Sequence, residues 1–267
     1  MSILIIGGGN MGKTYAQSFI NSKLIAREEL FIYDKDKLKI DLINQFQLGQ
    51  GVQELGEFVK NIDTIILAVK PQDTKNLFPE LKPFLRPDQL FLTIMAGVKI
   101  ADIQSQLGIE KVVRAMPNLP AQIGMGMTVF CSSDKVPKKD LTYIQNLLET
   151  TGHSIIVEKE DMLNGATAIS GSGPAYVFYF LDAMINSALE MGFSPSEAHL
   201  LVEQTFLGSV NLIKRNNLNC NQWIEKVASR GGTTEAALKV FDENKVKDGI
   251  KKGLETALNR ARELSEE

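Results

Sequence analysis

The chain contains few residues of the kinds that hold metals or cross-links. Among its 267 residues there are two cysteines and two histidines. Cys131 and Cys220 lie far apart without metal-binding or redox spacing, which argues against a disulfide scaffold and favours a reduced, cytoplasmic setting. His153 and His199 belong to no catalytic or metal-binding motif. The sequence therefore predicts no metal site and offers no obvious acid–base set.

Strong charge and long apolar runs are also missing. The net charge is −3, which gives no electrostatic basis for binding nucleic acid or an anionic membrane. The longest apolar stretch, 175–191, is interrupted by Asp182, Asn186 and Glu190, and no run reaches the roughly 20 residues needed to span a bilayer. A hydrophobic content of 44% is typical of a globular protein. A small-molecule substrate is the partner that we expect.

The first 160 residues alternate short apolar runs with helical patterns. Alternation of this kind indicates a mostly parallel sheet covered by helices, and near-continuous apolar strands indicate burial on both faces. The expected strands are 3–6, 30–33, 64–69, 90–95, 111–115, 127–131 and 154–157. Residues 1–160 are therefore predicted to form a dinucleotide-binding domain with a doubly wound α/β sheet.

After about residue 160 the strand patterns stop and helix signals take over. Ser194-Pro195-Ser196-Glu197 forms a capping box with proline at the first helical position, which predicts a helix over 195–214. Further helices are expected at 175–191, 220–228, 233–243 and 245–264. Residues 161–267 are predicted to form an all-α domain.

The segment 175–191 is apolar on nearly all sides. Such a helix must be buried, and a domain of this size has little room to cover every face. We expect a partner subunit to cover it; the alternative is a core helix within one subunit.

A glycine motif follows the first strand and opens a helix. Residues 7–12 read GGGNMG and match G-x-G-x-x-G through Gly7, Gly9 and Gly12. The three glycines permit a tight turn, a close approach of the backbone to pyrophosphate, and close helix–strand packing. The position between a strand and a helix favours dinucleotide binding over a turn without ligand.

The residues after the second strand leave the choice of dinucleotide open. Asp34 lies 22 residues beyond Gly12, where an acid usually binds the ribose hydroxyls of NAD. Lys35, Lys37 and Lys39 follow and could accept the extra phosphate of NADP, although Lys37 and Lys39 fit a solvated helix face better. Lys70, at the end of a later strand, is either a ligand contact or a surface lysine.

The stretch SRGGTTEAAL, residues 229–238, precedes a helix in the helical half. A helix start behind flexible glycines is a natural anion site. Thr233 and Thr234 could equally be N-cap hydroxyls of an ordinary helix.

With these motifs the whole chain resembles the pyrroline-5-carboxylate reductases. The resemblance is carried by residues 6–12 (IGGGNMG), 68–71 (AVKP), 113–118 (VRAMPN), 170–176 (SGSGPAY) and 229–234 (SRGGTT). It implies an N-terminal Rossmann domain and a helical domain that interleaves with a second subunit in a homodimer, with dimers forming larger rings in some members. It also implies reduction of L-1-pyrroline-5-carboxylate to L-proline with NADPH or NADH.

The resemblance also assigns site residues. It implies that the substrate carboxylate binds the glycine–threonine turn and that the Thr234 hydroxyl, the expected catalytic group, bonds the ring nitrogen. The substrate residues are Ser229, Gly232, Thr233 and Thr234. The cofactor residues are Ile6, Gly7, Gly8, Gly9, Asn10, Met11, Gly12, Asp34, Lys35, Ala68, Val69, Lys70, Pro71, Met95 and Ala96.

Two departures and two rival functions remain. Arg230 stands where the family usually has proline, and Asp34-Lys35 stands where NADP-preferring relatives commonly have Asn-Arg. A β-hydroxyacid dehydrogenase usually carries a catalytic lysine on the long helix after the boundary, but residues 165–191 contain no lysine or arginine. A catalytically silent dinucleotide-binding regulator is the other alternative, and the intact turn at 229–234 argues against it.

Overall fold

A computed structural model describes residues 1–266 of the chain. By internal contacts these form two compact units, one comprising residues 1–172 with the described residues from Ala257 onward, the other Gly173–Thr256. The division into residues 1–160 and 161–267, which follows the change of sequence pattern, stays a prediction.

The first unit is built on an eight-stranded sheet in the order β3-β2-β1-β4-β5-β6-β7-β8. Every pair of neighbours is parallel except β6 and β7. The strands are β1 (Ile3–Ile6), β2 (Leu30–Tyr33), β3 (Gln50–Val52), β4 (Thr64–Leu67), β5 (Leu90–Thr93), β6 (Val112–Met116), β7 (Gly126–Ser132) and β8 (Gly152–Ile156). The predicted α/β doubly wound sheet is confirmed.

Helices cover both faces of this sheet. They are α1 (Asn10–Asn21), α2 (Lys37–Gln45), α3 (Thr74–Leu81), α4 (Ile100–Leu107), α5 (Lys138–Glu149) and the short α6 (Met162–Ala166). Two hydrophobic clusters form, one on each side, because alternate residues of a buried strand point to opposite faces. In β1, for example, Ile3 and Ile5 join one cluster, whereas Leu4 and Ile6 join the other.

The order of the strands places several chain segments at one edge of the sheet. Strands β1, β2 and β4 are adjacent and parallel, with Ile6 level with Tyr33 on one side and with Leu67 on the other. Their carboxyl ends therefore open side by side. Ligands of such sheets bind in the crevice beyond these ends, where the strand order reverses on either side of β1.

The second unit is helical and contains α7 (Gly173–Glu190), α8 (Pro195–Lys214), α9 (Cys220–Val227), α10 (Thr233–Glu243) and the first part of α11 (Val246–Leu264). The predicted capping box at α8 is present: the Ser194 hydroxyl accepts from the Glu197 N–H, and the Glu197 carboxylate accepts from the Ser194 N–H. Within residues 1–266, no helix combines the length and apolar character needed to cross a membrane.

The expectation that α7 could be a core helix within one subunit is wrong. All residues of α7 are described, and Ala188 alone is buried. Large apolar side chains stand exposed along it, and Tyr179 is 76% exposed. Exposure of this extent on an apolar helix marks an interaction surface.

Candidate active site

The glycine turn after β1 is shaped by three different steric requirements. Gly7 has φ +115°, and a Cβ there would lie 2.6 Å from the carbonyl oxygen of Ala68 at the end of β4. A Cβ on Gly12 would lie 1.9 Å from the carbonyl oxygen of Gly7, so α1 can approach the turn only without a side chain at that position. Gly9 differs, because a Cβ there would meet no atom within 4 Å. The open side of Gly9 suits close approach by a ligand.

This turn borders a cleft of about 460 Å³ at the carboxyl ends of β1, β2 and β4. Gly9 is the N-cap of α1 and contributes no side-chain capping bond, so the first N–H groups of the helix are a natural seat for phosphate. Lining residues that the sequence predicted are Gly7, Gly9, Asp34, Lys35, Ala68, Val69 and Lys70. Lys70 is exposed and lines the cleft, and its contact with a ligand stays a prediction.

Other predicted cofactor residues lie around the cleft without lining it. Ile6 and Met95 are fully buried strand-end residues, and Gly8 and Gly12 are packed beneath the turn. The exposed residues Asn10, Pro71 and Ala96 and the half-buried Met11 also lie outside the lining. Their assignment to the cofactor stays a prediction.

Sequence reasoning missed several lining residues. They are Tyr33, Gln72, Asp73, Asn76 and Leu77, and the lining also includes Lys39, which the sequence offered as a possible contact to the NADP phosphate. Most follow Lys70 on the short 3₁₀ turn Pro71–Asp73 and the first turn of α3. The available signal was the polar sequence directly after a buried strand, where the chain must turn across the crevice.

Asp34 is tied to the glycine turn. Its Oδ2 accepts a hydrogen bond from the N–H of Gly8 at 2.9 Å and forms an ion pair with Nζ of Lys39 at 3.0 Å. Lys39, which the sequence suggested was on a solvated helix face, is 40% exposed and also pairs with Asp34, because the first turn of α2 carries it back to the end of β2. Lys37, the first residue of α2, is exposed as expected.

A second charged pair lies beside the first. Nζ of Lys35 is 2.9 Å from Oε2 of Glu80, and the Tyr33 hydroxyl donates to Oε1 of the same carboxylate at 3.0 Å. Burial, together with the hydrogen bond to Glu80, raises the pKa of Tyr33 well above its usual value. Tyr33 therefore remains a neutral hydrogen-bond donor over the physiological range.

The predicted substrate residues gather at the start of α10 in the helical unit. The N–H of Gly232 donates to the carbonyl of Ser229 at 3.0 Å, and Gly231 has φ +73°, which closes a tight turn. A Cβ on Gly232 would lie 2.5 Å from Oγ of Ser229. Ser229 and Thr233 are exposed, and Thr234 is half-buried.

The cap of α10 differs from one sequence expectation. Its N-cap is Gly232, so the alternative that Thr233 or Thr234 caps the helix through its hydroxyl is wrong. Both threonines lie within the first turn, where backbone N–H groups have no intrahelical acceptor. Glu235, which sequence reasoning missed, accepts from the N–H of Gly231 at 2.6 Å. The two hydroxyls are thus free of capping bonds to α10.

The glycine geometry makes a prediction that separates stability from ligand binding. Gly9→Ala should leave the thermal unfolding midpoint unchanged, because its Cβ enters open space at φ −74°. The same methyl should weaken NAD(P)H binding by at least about tenfold, because it blocks the backbone approach to pyrophosphate. Fluorescence titration and thermal denaturation measure the two effects.

Gly12→Ala is the matched comparison. It should lower the free energy of unfolding by about 3 kcal/mol, through overpacking against the Gly7 carbonyl. Equal loss of stability in the Gly9 and Gly12 variants would contradict the assignment of Gly9 to ligand approach.

Comparison with known proteins supports one family along the whole chain. Residues 160–264 match the family model described as "Pyrroline-5-carboxylate reductase dimerisation". Residues 2–97 match the model "NADP oxidoreductase coenzyme F420-dependent". The two matches cover the helical part of the chain and the first five strands, β1 to β5, with the glycine turn.

Full-length relatives point the same way. The chain is 31% identical to a pyrroline-5-carboxylate reductase of Aquifex aeolicus, over 99% of this chain and 97% of the relative. It is also 31% identical to pyrroline-5-carboxylate reductase 2 of Bacillus subtilis, over 98% and 94%.

Solved structures extend the similarity to three dimensions. A pyrroline-5-carboxylate reductase from Coxiella burnetii superposes with a TM-score of 0.90 at 32% identity, covering 99% of this chain and 98% of the other. A pyrroline carboxylate reductase from Plasmodium falciparum with NADP bound superposes with a TM-score of 0.90 at 29% identity and the same coverage. The chain therefore belongs to the pyrroline-5-carboxylate reductase family of NAD(P)H-dependent oxidoreductases.

Proposed function

We propose that this chain reduces L-1-pyrroline-5-carboxylate to L-proline with NAD(P)H, the last step of proline biosynthesis. The observation that carries the proposal is the full-length similarity to reductases of this name, at 31% identity over nearly the whole chain. The turn at 229–234 and the glycine-bordered cleft agree with it. They supply the two seats that the reaction needs, one for an anionic substrate and one for a dinucleotide.

The substrate seat is the turn that leads into α10. The carboxylate binds the backbone N–H groups of Thr233 and Thr234, where the helix dipole favours an anion, whereas Gly232 gives its own N–H to Ser229 and shapes the turn. Ser229 supports this seat by accepting the Gly232 N–H and by filling the space beside it. The hydroxyl of Thr234 bonds the ring nitrogen and fixes the orientation of the imine.

The dinucleotide seat is the cleft beyond β1, β2 and β4. The turn at residues 6–12 holds the pyrophosphate, while 68–71 and 95–96 border the rest of the cofactor. A reduced nicotinamide held in this cleft would supply the hydride that converts the protonated C=N bond of the substrate to the amine of proline. The protein contributes mainly orientation, which can be worth ~7–11 kcal/mol in such reactions.

The assembly that we propose is a homodimer with interleaved C-terminal helices in the cytoplasm, with dimers able to join into larger rings. Support comes from the dimerisation model that matches residues 160–264 and from the exposed apolar face of α7. Apolar side chains are also exposed on α8, where Leu200 and Leu207 are examples. Pairing of these helices across subunits would remove this apolar surface from water.

The direct test of the function is turnover of L-1-pyrroline-5-carboxylate by the full chain, followed by the loss of NADH or NADPH absorbance. We expect activity with at least one nicotinamide and formation of proline. Cofactor binding without turnover would favour a silent regulator. Activity with β-hydroxyacids in place of the cyclic imine would favour the dehydrogenase alternative.

The role of Thr234 has its own test. Thr234→Ala should lower kcat/KM by about tenfold, the equivalent of one hydrogen bond of about 1.4 kcal/mol. Thr234→Ser keeps the hydroxyl and should retain most of the activity. Wild-type kinetics in the alanine variant would remove Thr234 from the site.

The interface on α7 is tested by placing a charge in it. Tyr179→Asp should shift the protein from dimer toward monomer in sedimentation velocity, because an unpaired carboxylate would be buried between subunits. Lys139→Asp, on the exposed surface of α5, is the control and should leave the mass unchanged. An undisturbed dimer in the Tyr179 variant would show that α7 lies outside the interface.

A further inference from the structure

The charged side chains at the end of β2 carry an inference about which nicotinamide dinucleotide this chain prefers. Asp34 is the residue that a sequence comparison would assign to the ribose hydroxyls of NAD. Its two oxygens already accept from three donors: the N–H of Gly8, the N–H of Asp36 and Nζ of Lys39. A carboxylate offers about four acceptor positions, so little capacity remains for two ribose hydroxyls.

Solvent exposure also makes the two lysines more accessible to a ligand than Asp34. The Asp34 side chain is 12% exposed, whereas that of Lys39 is 40% exposed and that of Lys35 is 60% exposed. All three border the cleft. A group that reaches the end of β2 from solvent therefore meets two ammonium groups more readily than it meets the carboxylate.

The local charges are also compensated. Asp34 pairs with Lys39 and Glu80 pairs with Lys35, so two negative and two positive charges sum to zero. An ammonium has three N–H donors, and one contact to a carboxylate leaves donors for a second acceptor. The paired lysines thus offset the electrostatic repulsion that an unpaired carboxylate would exert on an added phosphate.

Glu80 is itself held in place. The Tyr33 hydroxyl donates to one of its oxygens while Lys35 binds the other. This anchors Lys35 beside the cleft, which Lys39 also borders. Each of the two ammonium groups can make a charge-assisted hydrogen bond to a phosphate.

We propose that Lys39 and Lys35 bind the 2′-phosphate of NADPH, so that this chain binds NADPH more tightly than NADH. In this proposal Asp34 contacts the protein and not the ligand: its carboxylate accepts the Gly8 N–H and positions Lys39. The inference rests on the proposed use of NAD(P)H and adds the residues that select between its two forms.

The test measures binding by the full-length protein without substrate. Titration calorimetry with NADPH and NADH should give a dissociation constant about tenfold lower for NADPH, the size of one charge-assisted hydrogen bond. The fragments 2′,5′-ADP and 5′-AMP differ at the ribose phosphate and should show the same order. Rising salt should weaken NADPH binding more steeply than NADH binding, because the lysines are partly exposed.

Variants assign the effect to residues. Lys39→Gln and Lys35→Gln should each weaken NADPH binding roughly threefold, and together about tenfold, and leave NADH binding within about twofold. Lys37→Gln is the matched control, since Lys37 lies on the same helix as Lys39 but does not border the cleft. It should change neither constant. Thermal denaturation of each variant verifies that the fold is retained.

The outcomes separate this inference from the proposed function. Tighter binding of NADH than NADPH, or equal losses for both in the lysine variants, would overturn the inference while turnover of the cyclic imine leaves the function standing. Binding of neither nicotinamide would overturn both.

Discussion

The contact between three backbone segments at the end of β1 is the constraint on which the cleft depends. The turn passes close to the carbonyl of Ala68, which a side chain at Gly7 would prevent. Helix α1 begins against the carbonyl of Gly7, which a side chain at Gly12 would prevent. Once this turn is closed, the N-terminus of α1 points to the edge where β2 and β4 also end. The phosphate seat and the residues that flank it therefore share one origin.

The charges around that turn show how one residue can serve the protein and the ligand differently. Asp34 lies at the position where an acidic residue commonly binds the ribose hydroxyls of NAD. In this structure its carboxylate accepts hydrogen bonds from the Gly8 N–H and from Nζ of Lys39. A carboxylate that stabilises its own loop is less available to a ligand. Lys39, which pairs with Asp34, and Lys35, which pairs with Glu80, are more exposed at the cleft than Asp34 is.

The helical unit has a different physical problem. Its longest apolar helix, α7, presents Val177, Phe178 and Tyr179 to solvent in a single chain. Hydrophobic burial is the main favourable term in folding and association, so a surface of this kind is stable only when covered. The dimerisation family that residues 160–264 match accounts for why the sequence keeps such a helix.

Local patterns predicted much of this organisation. Buried parallel strands are recognisable in the sequence as apolar runs. The start of α8 could be predicted from Ser194 and Pro195, because capping is a local interaction. Strand β3 escaped notice because Gln50–Val52 has no apolar run, and it exists through pairing with β2. A threonine cap stayed an open alternative at α10 because Gly232, Thr233 and Thr234 all suit a helix N-cap.

By itself the sequence determined the alternating fold and the glycine turn, since these depend on period, spacing and backbone freedom, and its motifs carried the resemblance to the family. Only the tertiary structure decided that Lys39 returns to Asp34, that Lys35 is anchored on Glu80, and that α7 is left uncovered in one chain. The Lys35–Glu80 contact depends on which elements the sheet order brings together, and the Lys39–Asp34 contact depends on how the chain turns between β2 and α2. Distances between residues far apart in sequence are set by packing, which no local pattern encodes.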